Sequence, residues 1–275
     1  MSATVPRSSP MSFDSSRSAT ESRPVPPTET LALRLGALTA RAQQDCHLFA
    51  SPLGPFYIGG RSAWLSRFVF FGPHASDAAW RLAFLSGFDA RDHRLSHALV
   101  GLVERLTADA ADGHGLDLTF FPQIDVAGLA GDFAPRDLAH AHWARSTAPE
   151  IALLERDARS RGYHGYIRVE AASPGEEIIT LRVREPAGLA YSPDVELISS
   201  DDVAPFPVRF ERGEAGRAPS DGPLSVAEDL SVQPFELTLR VPAAWPDEIQ
   251  HEAVSSILTR FLHRYRAFQA YGQHL

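Results

Sequence analysis

The sequence predicts one large α/β domain, a three-layer sandwich with a mixed, mostly parallel sheet. Short apolar runs of strand length alternate along the chain with segments of helical periodicity, a pattern typical of this fold class. The clearest example is the stretch 81–106, where the apolar run Leu82–Leu85 ends at Ser86-Gly87 and a helical pattern continues to Leu106. At 275 residues and 44% hydrophobic content, the chain can bury a full core.

The segment before that stretch predicts a tail, a helix and two strands. Residues 1–29 are rich in Ser, Pro, Thr and Arg, so we expect a disordered tail before a folded domain that spans residues 30–275. An amphipathic helix is predicted from Thr30. Strand candidates follow at Phe56–Ile58 and Arg67–Phe71, separated by Gly59-Gly60.

The second half of the chain continues the alternation. The strand Leu116–Phe121 ends at Pro122, and the glycine-bearing segment Gln123–Phe133 predicts a loop over the end of the sheet. Thr147 and Glu150 have the spacing of a capping box, which predicts a helix that runs to Arg161 and stops at Gly162. The remaining predictions are strands at Tyr163–Glu170, Ile178–Val183 and Phe235–Val241, an exposed loop at Glu211–Asp221 and a final helix at Pro246–Phe268.

Composition excludes several functional classes. The net charge of −8 argues against nucleic acid or an anionic membrane surface as a partner, because both require a basic face. No apolar run approaches the roughly 20 residues needed to span a bilayer, and no signal peptide is recognisable, so we expect a cytoplasmic protein. The chain contains no lysine, which excludes a Schiff-base lysine and a P-loop. The single cysteine, Cys46, cannot form an internal disulfide.

The turn Gly87–Asp92 is the first candidate for chemistry. It follows a predicted buried strand and contains two carboxylates, Asp89 and Asp92. Open α/β sheets bind their ligands beyond the carboxyl ends of the strands. We therefore expect the functional site at this turn.

This turn also begins a resemblance to the zinc carboxypeptidase superfamily, particularly the branch with aspartoacylase and succinylglutamate desuccinylase. The family string Gly-x-His-Gly-x-Glu matches Gly87–Asp92, which puts Asp89 and Asp92 at the positions of two zinc ligands. The resemblance puts Glu170 at the position of the third ligand. The family string Thr-Leu-Glu-Thr-Pro matches Thr238–Pro242, which puts Arg240 where the general-base glutamate would stand.

Other landmarks extend the resemblance over residues 56–266. The string Pro-x-x-Asn-Pro-x-Gly resembles Pro122–Gly128, and Asp-Leu-Asn-Arg resembles Asp137–His140. Family members use that Asn-Arg pair to hold a substrate carboxylate, whereas this chain has Ala139-His140. Arg136 and His140 are the remaining candidates for binding a substrate anion.

The substitutions imply an altered site. Asp89, Asp92 and Glu170 would form an all-oxygen ligand set, which suits magnesium, calcium or manganese better than zinc. Alternatively, Arg240 pairs with these carboxylates and replaces the metal, because a buried carboxylate cluster needs a positive partner. We favour the second interpretation.

The resulting expectation is a catalytically inactive relative with a binding or scaffolding role. Its partner would be a protein or a small acidic or peptidic ligand, and it would need no cofactor. The first alternative is an active hydrolase of the carboxypeptidase or amidohydrolase type that uses a divalent zinc, manganese or magnesium ion. The second is an unrelated α/β enzyme.

Two histidine patterns remain as weaker metal-site candidates. Asp89, His93 and His97 follow each other at four-residue spacing and could share one helix face. His140 and His142 could meet His164. Solvated side chains explain both patterns more simply.

Overall fold

The computed structural model describes residues 27–76, 79–90, 93–131, 136, 138, 146–184, 206–212 and 234–272. The predicted tail, apart from residues 27–29, lies outside these ranges. The described helices are α1 (Pro27–Ala42), α2 (His93–Ala108), α3 (Val126–Leu129), α4 (Pro149–Arg161) and α5 (Asp247–Gly272). The strands are β1 (Leu48–Ala50), β2 (Leu53–Ile58), β3 (Arg61–Leu65), β4 (Phe68–Phe71), β5 (Trp80–Leu85), β6 (Leu116–Phe121), β7 (Gly165–Ala171), β8 (Ile179–Arg184), β9 (Val208–Arg212) and β10 (Phe235–Val241).

Eight of these strands form one mixed sheet in the order β1-β4-β6-β5-β7-β10-β8-β9. The four central strands β6, β5, β7 and β10 are parallel to one another. On one side β4 pairs antiparallel with β6, and on the other side β8 pairs antiparallel with β10. The carboxyl ends of the four central strands therefore meet at one edge of the sheet.

Apolar side chains cover both faces of this sheet, which makes the fold three-layered. One core lies between the sheet and helices α1, α2 and α5. Seven residues on one side of α5, spaced between Ala253 and Tyr265, are fully buried there. Burial of each large side chain stabilises the fold by about 2 kcal/mol. The second core lies between the other face and α3, α4 and the β2–β3 hairpin. The predicted three-layer α/β sandwich is confirmed.

The β2–β3 hairpin forms a separate two-stranded sheet, and β3 was not predicted. Gly59-Gly60 connects its strands, and both glycines have positive φ, which the tight turn requires. Only Leu65 of β3 is fully buried, while Arg61, Ser62 and Trp64 are exposed. The strand is therefore too polar to be recognised from apolar residues.

The amino end of α4 differs from the prediction. The residue that precedes the helix is Ala148, no side chain caps it, and Pro149 occupies the first turn. The capping-box prediction for Thr147 was wrong, because Glu150 is fully buried and binds elsewhere. Helix α4 ends at Gly162, as predicted, and this glycine adopts the left-handed conformation.

One further segment refines the predictions. The predicted exposed loop Glu211–Asp221 begins inside β9, and its remainder lies outside the described residues.

No helix in the described part of the chain has the length and apolar character to cross a membrane.

Candidate functional site

The turn after β5 is held rigidly against the loop after β6. The Ser86 hydroxyl donates to the Pro122 carbonyl at 2.7 Å, and the Gln123 amide donates to the Gly87 carbonyl at 3.2 Å. The Ser96 hydroxyl of α2 donates to Gln123 Oε1 at 2.8 Å. Because these groups are buried and mutually satisfied, the turn has one defined conformation.

Gly87 has to be a glycine in this arrangement. Its φ of +66° lies in the left-handed region, and a Cβ atom there would stand 2.6 Å from both Gln123 Oε1 and Ser96 Oγ. The close packing brings Asp89, which is half-buried, to the carboxyl edge of the sheet. Asp92, the second carboxylate of the predicted turn, lies outside the described residues.

Glu170 and Arg240 stand next to each other on one face of the sheet, near the carboxyl ends of β7 and β10. They are register partners on the parallel strands β7 and β10, and Arg240 Nε lies 3.7 Å from Glu170 Oε2. Arg168 Nη2 lies 2.5 Å from the other oxygen, Glu170 Oε1. The contact between Glu170 and Arg240 that the sequence predicts is therefore present, and Arg168 is a second cation beside the same carboxylate.

The ion pairs continue across three strands. Arg168 Nη1 donates to Glu236 Oε1 at 3.0 Å, and Arg184 Nη1 of β8 donates to Glu236 Oε2 at 3.4 Å. The Arg168 guanidinium also lies over the Phe88 ring, 5.0 Å from its centroid, which joins this face to the turn that contains Asp89. We call Arg168, Glu170, Arg184, Glu236 and Arg240 the guanidinium cluster.

Most of this cluster was not predicted from the sequence. Arg168 and Glu170 lie two residues apart on β7, and Glu236 and Arg240 lie four residues apart on β10. Because side chains alternate between the two faces of a strand, this spacing alone puts each pair on one face. Their pairing with β8 and β10 requires the order of the strands in the sheet. Local sequence patterns do not provide that order.

The donor groups at this edge do not fit a zinc ion. Zinc sites in proteins use nitrogen or sulfur donors, alone or with a carboxylate. Glu170, which the sequence resemblance puts at the third ligand position, has a guanidinium beside each of its oxygens, which opposes the approach of a second cation. Among the residues that the structure describes, no group of three His, Cys, Asp or Glu side chains is arranged to hold a metal.

Arg136 belongs to a second charged group, formed with Asp125 and Glu150. Its Nη2 atom donates to Asp125 Oδ1 and to Glu150 Oε1, both at 2.6 Å. Both carboxylates are fully buried, whereas the Arg136 side chain is 27% exposed. Burial opposes the charge of Arg136, but its hydrogen bonds to the carboxylates of Glu150 and Asp125 outweigh this effect and raise the pKa of the guanidinium.

Through these contacts, Asp125, Arg136 and Glu150 hold the starts of two helices together. Asp125 caps α3 by accepting from the Gly128 amide at 3.0 Å, and Glu150 accepts from the Ala127 amide at 3.2 Å. Arg136 thus joins the start of α3 to the start of α4. His140, the other predicted anion-binding residue, lies outside the described residues.

The histidine patterns do not form the metal sites considered above within the described residues. Helix α2 begins at His93, so Asp89 lies before the helix and does not share its face. His97 Nδ1 lies 3.1 Å from Arg34 Nη1, which makes this nitrogen a hydrogen-bond acceptor rather than a ligand. His164 stands at the amino end of β7, and its predicted partners His140 and His142 lie outside the described ranges.

Comparisons with known proteins identify the fold. No family model and no curated protein matches the chain. A metallo-carboxypeptidase from Burkholderia cenocepacia matches with a TM-score of 0.61 and 13% identity over 87% of this chain and 69% of that one. Thrombin activatable fibrinolysis inhibitor matches at 0.57 and 14%, over 87% and 77%. A Pseudomonas aeruginosa metallo-carboxypeptidase in complex with (2-guanidinoethylmercapto)succinic acid matches at 0.51 and 16%, over 84% and 68%.

These structural neighbours agree on one architecture. The likeness extends over more than four fifths of the chain, and it confirms the fold that the sequence resemblance implied. The chain has the metallocarboxypeptidase fold.

Proposed function

We propose that this chain uses the metallocarboxypeptidase fold as a binding protein and does not perform zinc-dependent hydrolysis. The observation that supports the proposal is the pairing of Glu170 with Arg168 and Arg240. A carboxylate that is neutralised by two guanidinium groups has little affinity left for a metal ion. Separation of Glu170 from these two guanidinium groups would leave buried charges unpaired, which costs about 3 to 5 kcal/mol.

The charge balance of the guanidinium cluster favours an anionic ligand. Three guanidinium groups, Arg168, Arg184 and Arg240, stand beside two carboxylates, Glu170 and Glu236. Among these five side chains the guanidinium groups therefore outnumber the carboxylates by one, in a protein whose net charge is −8. The planar fork of an arginine matches a carboxylate with two parallel hydrogen bonds.

Arg240 is the member of the cluster best placed to meet such a ligand. Its side chain is 28% exposed, whereas the side chains of Arg168 and Glu170 are almost completely buried. It contacts Glu170 through Nε, and a guanidinium group has four further N–H donors on its two terminal nitrogens. We therefore propose a small acidic or peptidic ligand, bound by its carboxylate at Arg240.

The alternative function is hydrolysis of a peptide or amide bond with a retuned metal site. In that function Asp89, Asp92 and Glu170 would bind manganese or magnesium, which accept oxygen donors. Glu170 would then have to exchange its guanidinium partners for the metal. The two functions predict different behaviour for the same variants.

The experiment combines metal analysis with ligand binding. Purified, tag-free protein is incubated with zinc and with manganese, dialysed and submitted to elemental analysis, together with Glu170→Gln. Calorimetric titration with succinate and with a tripeptide ending in glutamate then compares the wild type with Arg240→Gln. The control is Arg61→Gln, which removes an exposed arginine of the hairpin.

We expect no stoichiometric metal in the wild type. We also expect Arg240→Gln, but not Arg61→Gln, to bind the carboxylate ligand at least about tenfold more weakly than the wild type does. A metal that binds stoichiometrically to the wild type and disappears in Glu170→Gln would contradict the proposal and support the hydrolase. Equal affinity in the wild type, Arg240→Gln and Arg61→Gln would also contradict it, because the ligand would then bind elsewhere.

A further inference from the structure

A cavity of about 700 Å³ lies at the opposite edge of the sheet, where the central strands begin. Trp80, the first residue of β5, forms part of its wall. The loop after β4 contributes His74, and the segment before β6 contributes His114. The second half of α5 contributes His263 and Arg266. This cavity is separate from the guanidinium cluster, since strands β5 and β7 have their opposite ends there.

The wall of the cavity is rich in groups that are cationic or can become so. Three imidazoles and one guanidinium line it, and the imidazole rings of His74 and His114 lie 4.9 Å apart between centroids. Asp112 is an acidic neighbour, with its Oδ1 atom 3.1 Å from His263 Nε2. Among the described residues that line the cavity, positive charge predominates when the histidines are protonated, in a protein that is acidic as a whole.

Close packing of two loops holds the first pair of histidines in place. The backbone of Gly72 approaches Gly113 so closely that a Cβ on Gly72 would overlap the Gly113 carbonyl. The Gly115 amide donates to the Pro73 carbonyl at 2.8 Å. The loop that contains His74 and the segment that contains His114 are thus fixed to each other, and their side chains are positioned before any ligand arrives.

His74 itself has an unusual backbone. Its φ of 60° places a residue with a Cβ atom in the left-handed region, which is uncommon outside glycine, although histidine, asparagine and aspartate adopt it more often than other residues do. Such conformations are concentrated at ligand sites, where the surrounding structure enforces them. Here the conformation directs the chain so that the His74 ring meets the His114 ring.

We propose that this cavity binds a small oxyanion, the phosphate or carboxylate group of a small molecule, between His74, His114, His263 and Arg266. Two facts favour an anion over a metal ion. No three His, Cys, Asp or Glu side chains within the described ranges are arranged as metal ligands. Arg266, which donates to the Ala111 carbonyl at 2.8 Å through one nitrogen, is a cation that attracts anions and repels metals.

The affinity rises as the pH falls. Histidine side chains in proteins gain their charge near neutral pH, and two charged imidazoles 4.9 Å apart repel each other unless an anion lies between them. Other charged or titratable groups of this region include Asp112, which opposes anion binding, and Arg266, which keeps its charge throughout. His164 also lies behind the wall, with its ring 4.8 Å from that of Trp80, and its Nδ1 atom accepts from the Arg81 amide. Protonation and anion binding therefore reinforce each other.

The test is calorimetric titration of the full chain with sulfate at about pH 5.5 and at about pH 8, since sulfate keeps its charge over this range. Inorganic phosphate and succinate, compared at one pH, separate a tetrahedral anion from a carboxylate. The variants are His74→Asn, which keeps a residue that tolerates the left-handed backbone, and Arg266→Gln. The matched control is Arg260→Gln, a change of the same kind about one and two-thirds turns earlier on α5.

We expect sulfate to bind at least about tenfold more tightly at the lower pH, and binding to weaken by a similar factor in His74→Asn and Arg266→Gln but not in Arg260→Gln. Arg240→Gln should leave this binding unchanged. Loss in Arg240→Gln with full binding in His74→Asn would overturn the proposal and move the anion to the guanidinium cluster. Absence of oxyanion binding at the lower pH would overturn it as well.

Discussion

At Gly87 a hydrogen atom stands where any other residue would have a carbon, and the turn after β5 depends on that difference. Gly87→Ala would place a Cβ 2.6 Å from Gln123 Oε1 and Ser96 Oγ while the backbone stays at φ +66°. We expect a loss of about 3 kcal/mol in the free energy of unfolding, measured by urea denaturation. The control is Gly115→Ala, at φ +74° with no atom within 4 Å of the added carbon, which should cost only about 1 kcal/mol. Equal losses would mean that backbone conformation alone restricts Gly87.

His164 makes stability depend on pH. Burial lowers the pKa of its imidazole, and the nearby charge of Arg81 lowers it further. The Arg81 amide donates to Nδ1 at 3.0 Å, a hydrogen bond that this nitrogen accepts only while it carries no proton. The unfolded chain therefore binds a proton at His164 more readily than the folded protein does. The stability contributed by the neutral imidazole is present above about pH 6.5 and is lost as the pH falls through the lower folded-state pKa.

His164→Gln should remove this loss. We expect the free energy of unfolding of the variant to fall less steeply than that of the wild type between about pH 7 and pH 5. Urea denaturation at several pH values measures the two slopes, and the values at about pH 8, where both side chains are neutral, provide the reference. Parallel slopes would show that other groups cause the acid sensitivity.

At the scale of elements, Arg136 connects α3 and α4. Removal of its guanidinium in Arg136→Met would leave Asp125 and Glu150, both fully buried, without a cation. We expect a loss of about 3 to 5 kcal/mol in the free energy of unfolding. The exposed pair of Arg159 with Glu155 on α4 is the control, and Arg159→Met should cost less than about 1 kcal/mol.

The triple variant Asp125→Asn, Glu150→Gln, Arg136→Met tests the cause of that loss. Because it removes the unpaired negative charges together with the guanidinium, it should recover more than half of the stability that Arg136→Met loses. Chemical denaturation measures the three proteins side by side. A triple variant no more stable than Arg136→Met would show that the contacts of the arginine stem, rather than its charge, join the two helices.

Tyr265 of α5 and Tyr163, which lies in the connection between α4 and β7, differ in the hydrogen bonding of their hydroxyl groups. Tyr265 of α5 is fully buried and its hydroxyl has no hydrogen-bond partner among the described residues, whereas the Tyr163 hydroxyl donates to Asp157 Oδ2 at 2.6 Å. Tyr265→Phe should leave the stability unchanged or raise it by about 1 kcal/mol, because it removes an unsatisfied polar group. Tyr163→Phe should lower it by about 2 kcal/mol. Thermal and urea unfolding distinguish the two, and an equal loss in both would contradict the assignment.

At the scale of the whole molecule, the order of the strands determines which regions open last. The central strands β5, β6 and β7 have neighbours on both sides and apolar layers on both faces, while β1 and β9 are edge strands. We expect the slowest hydrogen exchange at the amides of the central strands and faster exchange in β1 and β9. Exchange followed by mass spectrometry of peptides checks this order, and early opening of β5 would contradict it.

The same topology explains how far the sequence could predict the molecule. The unit from Leu82 to Leu106, the strand Leu116–Phe121 and the strand Phe235–Val241 were predicted because their apolar residues follow a local period. The strand Arg61–Leu65 was not, because most of its side chains face solvent. Periodicity therefore predicts the buried elements of the sandwich.

The sites were predicted less completely for a related reason. Glu170 and Arg240 could be named from a resemblance, and their contact could be expected from charge. Arg168 and Glu236 complete the guanidinium cluster through strands that are 68 residues apart in sequence and adjacent in the sheet. Glu150 was predicted as a capping residue because its spacing from Thr147 fits that role, and only the packing of α3 against α4 shows its pairing with Arg136.

Cys46 provides a site for specific labelling of this protein. It is the only cysteine of the chain, it is exposed, and it lies just before β1, beside His47, whose ring bonds to the Phe71 carbonyl at the end of β4. Three residues after Phe71 comes His74. A maleimide dye can therefore be attached at one defined point near the histidine-lined edge of the sheet without any engineering, and its fluorescence can report events at that edge separately from those at the other.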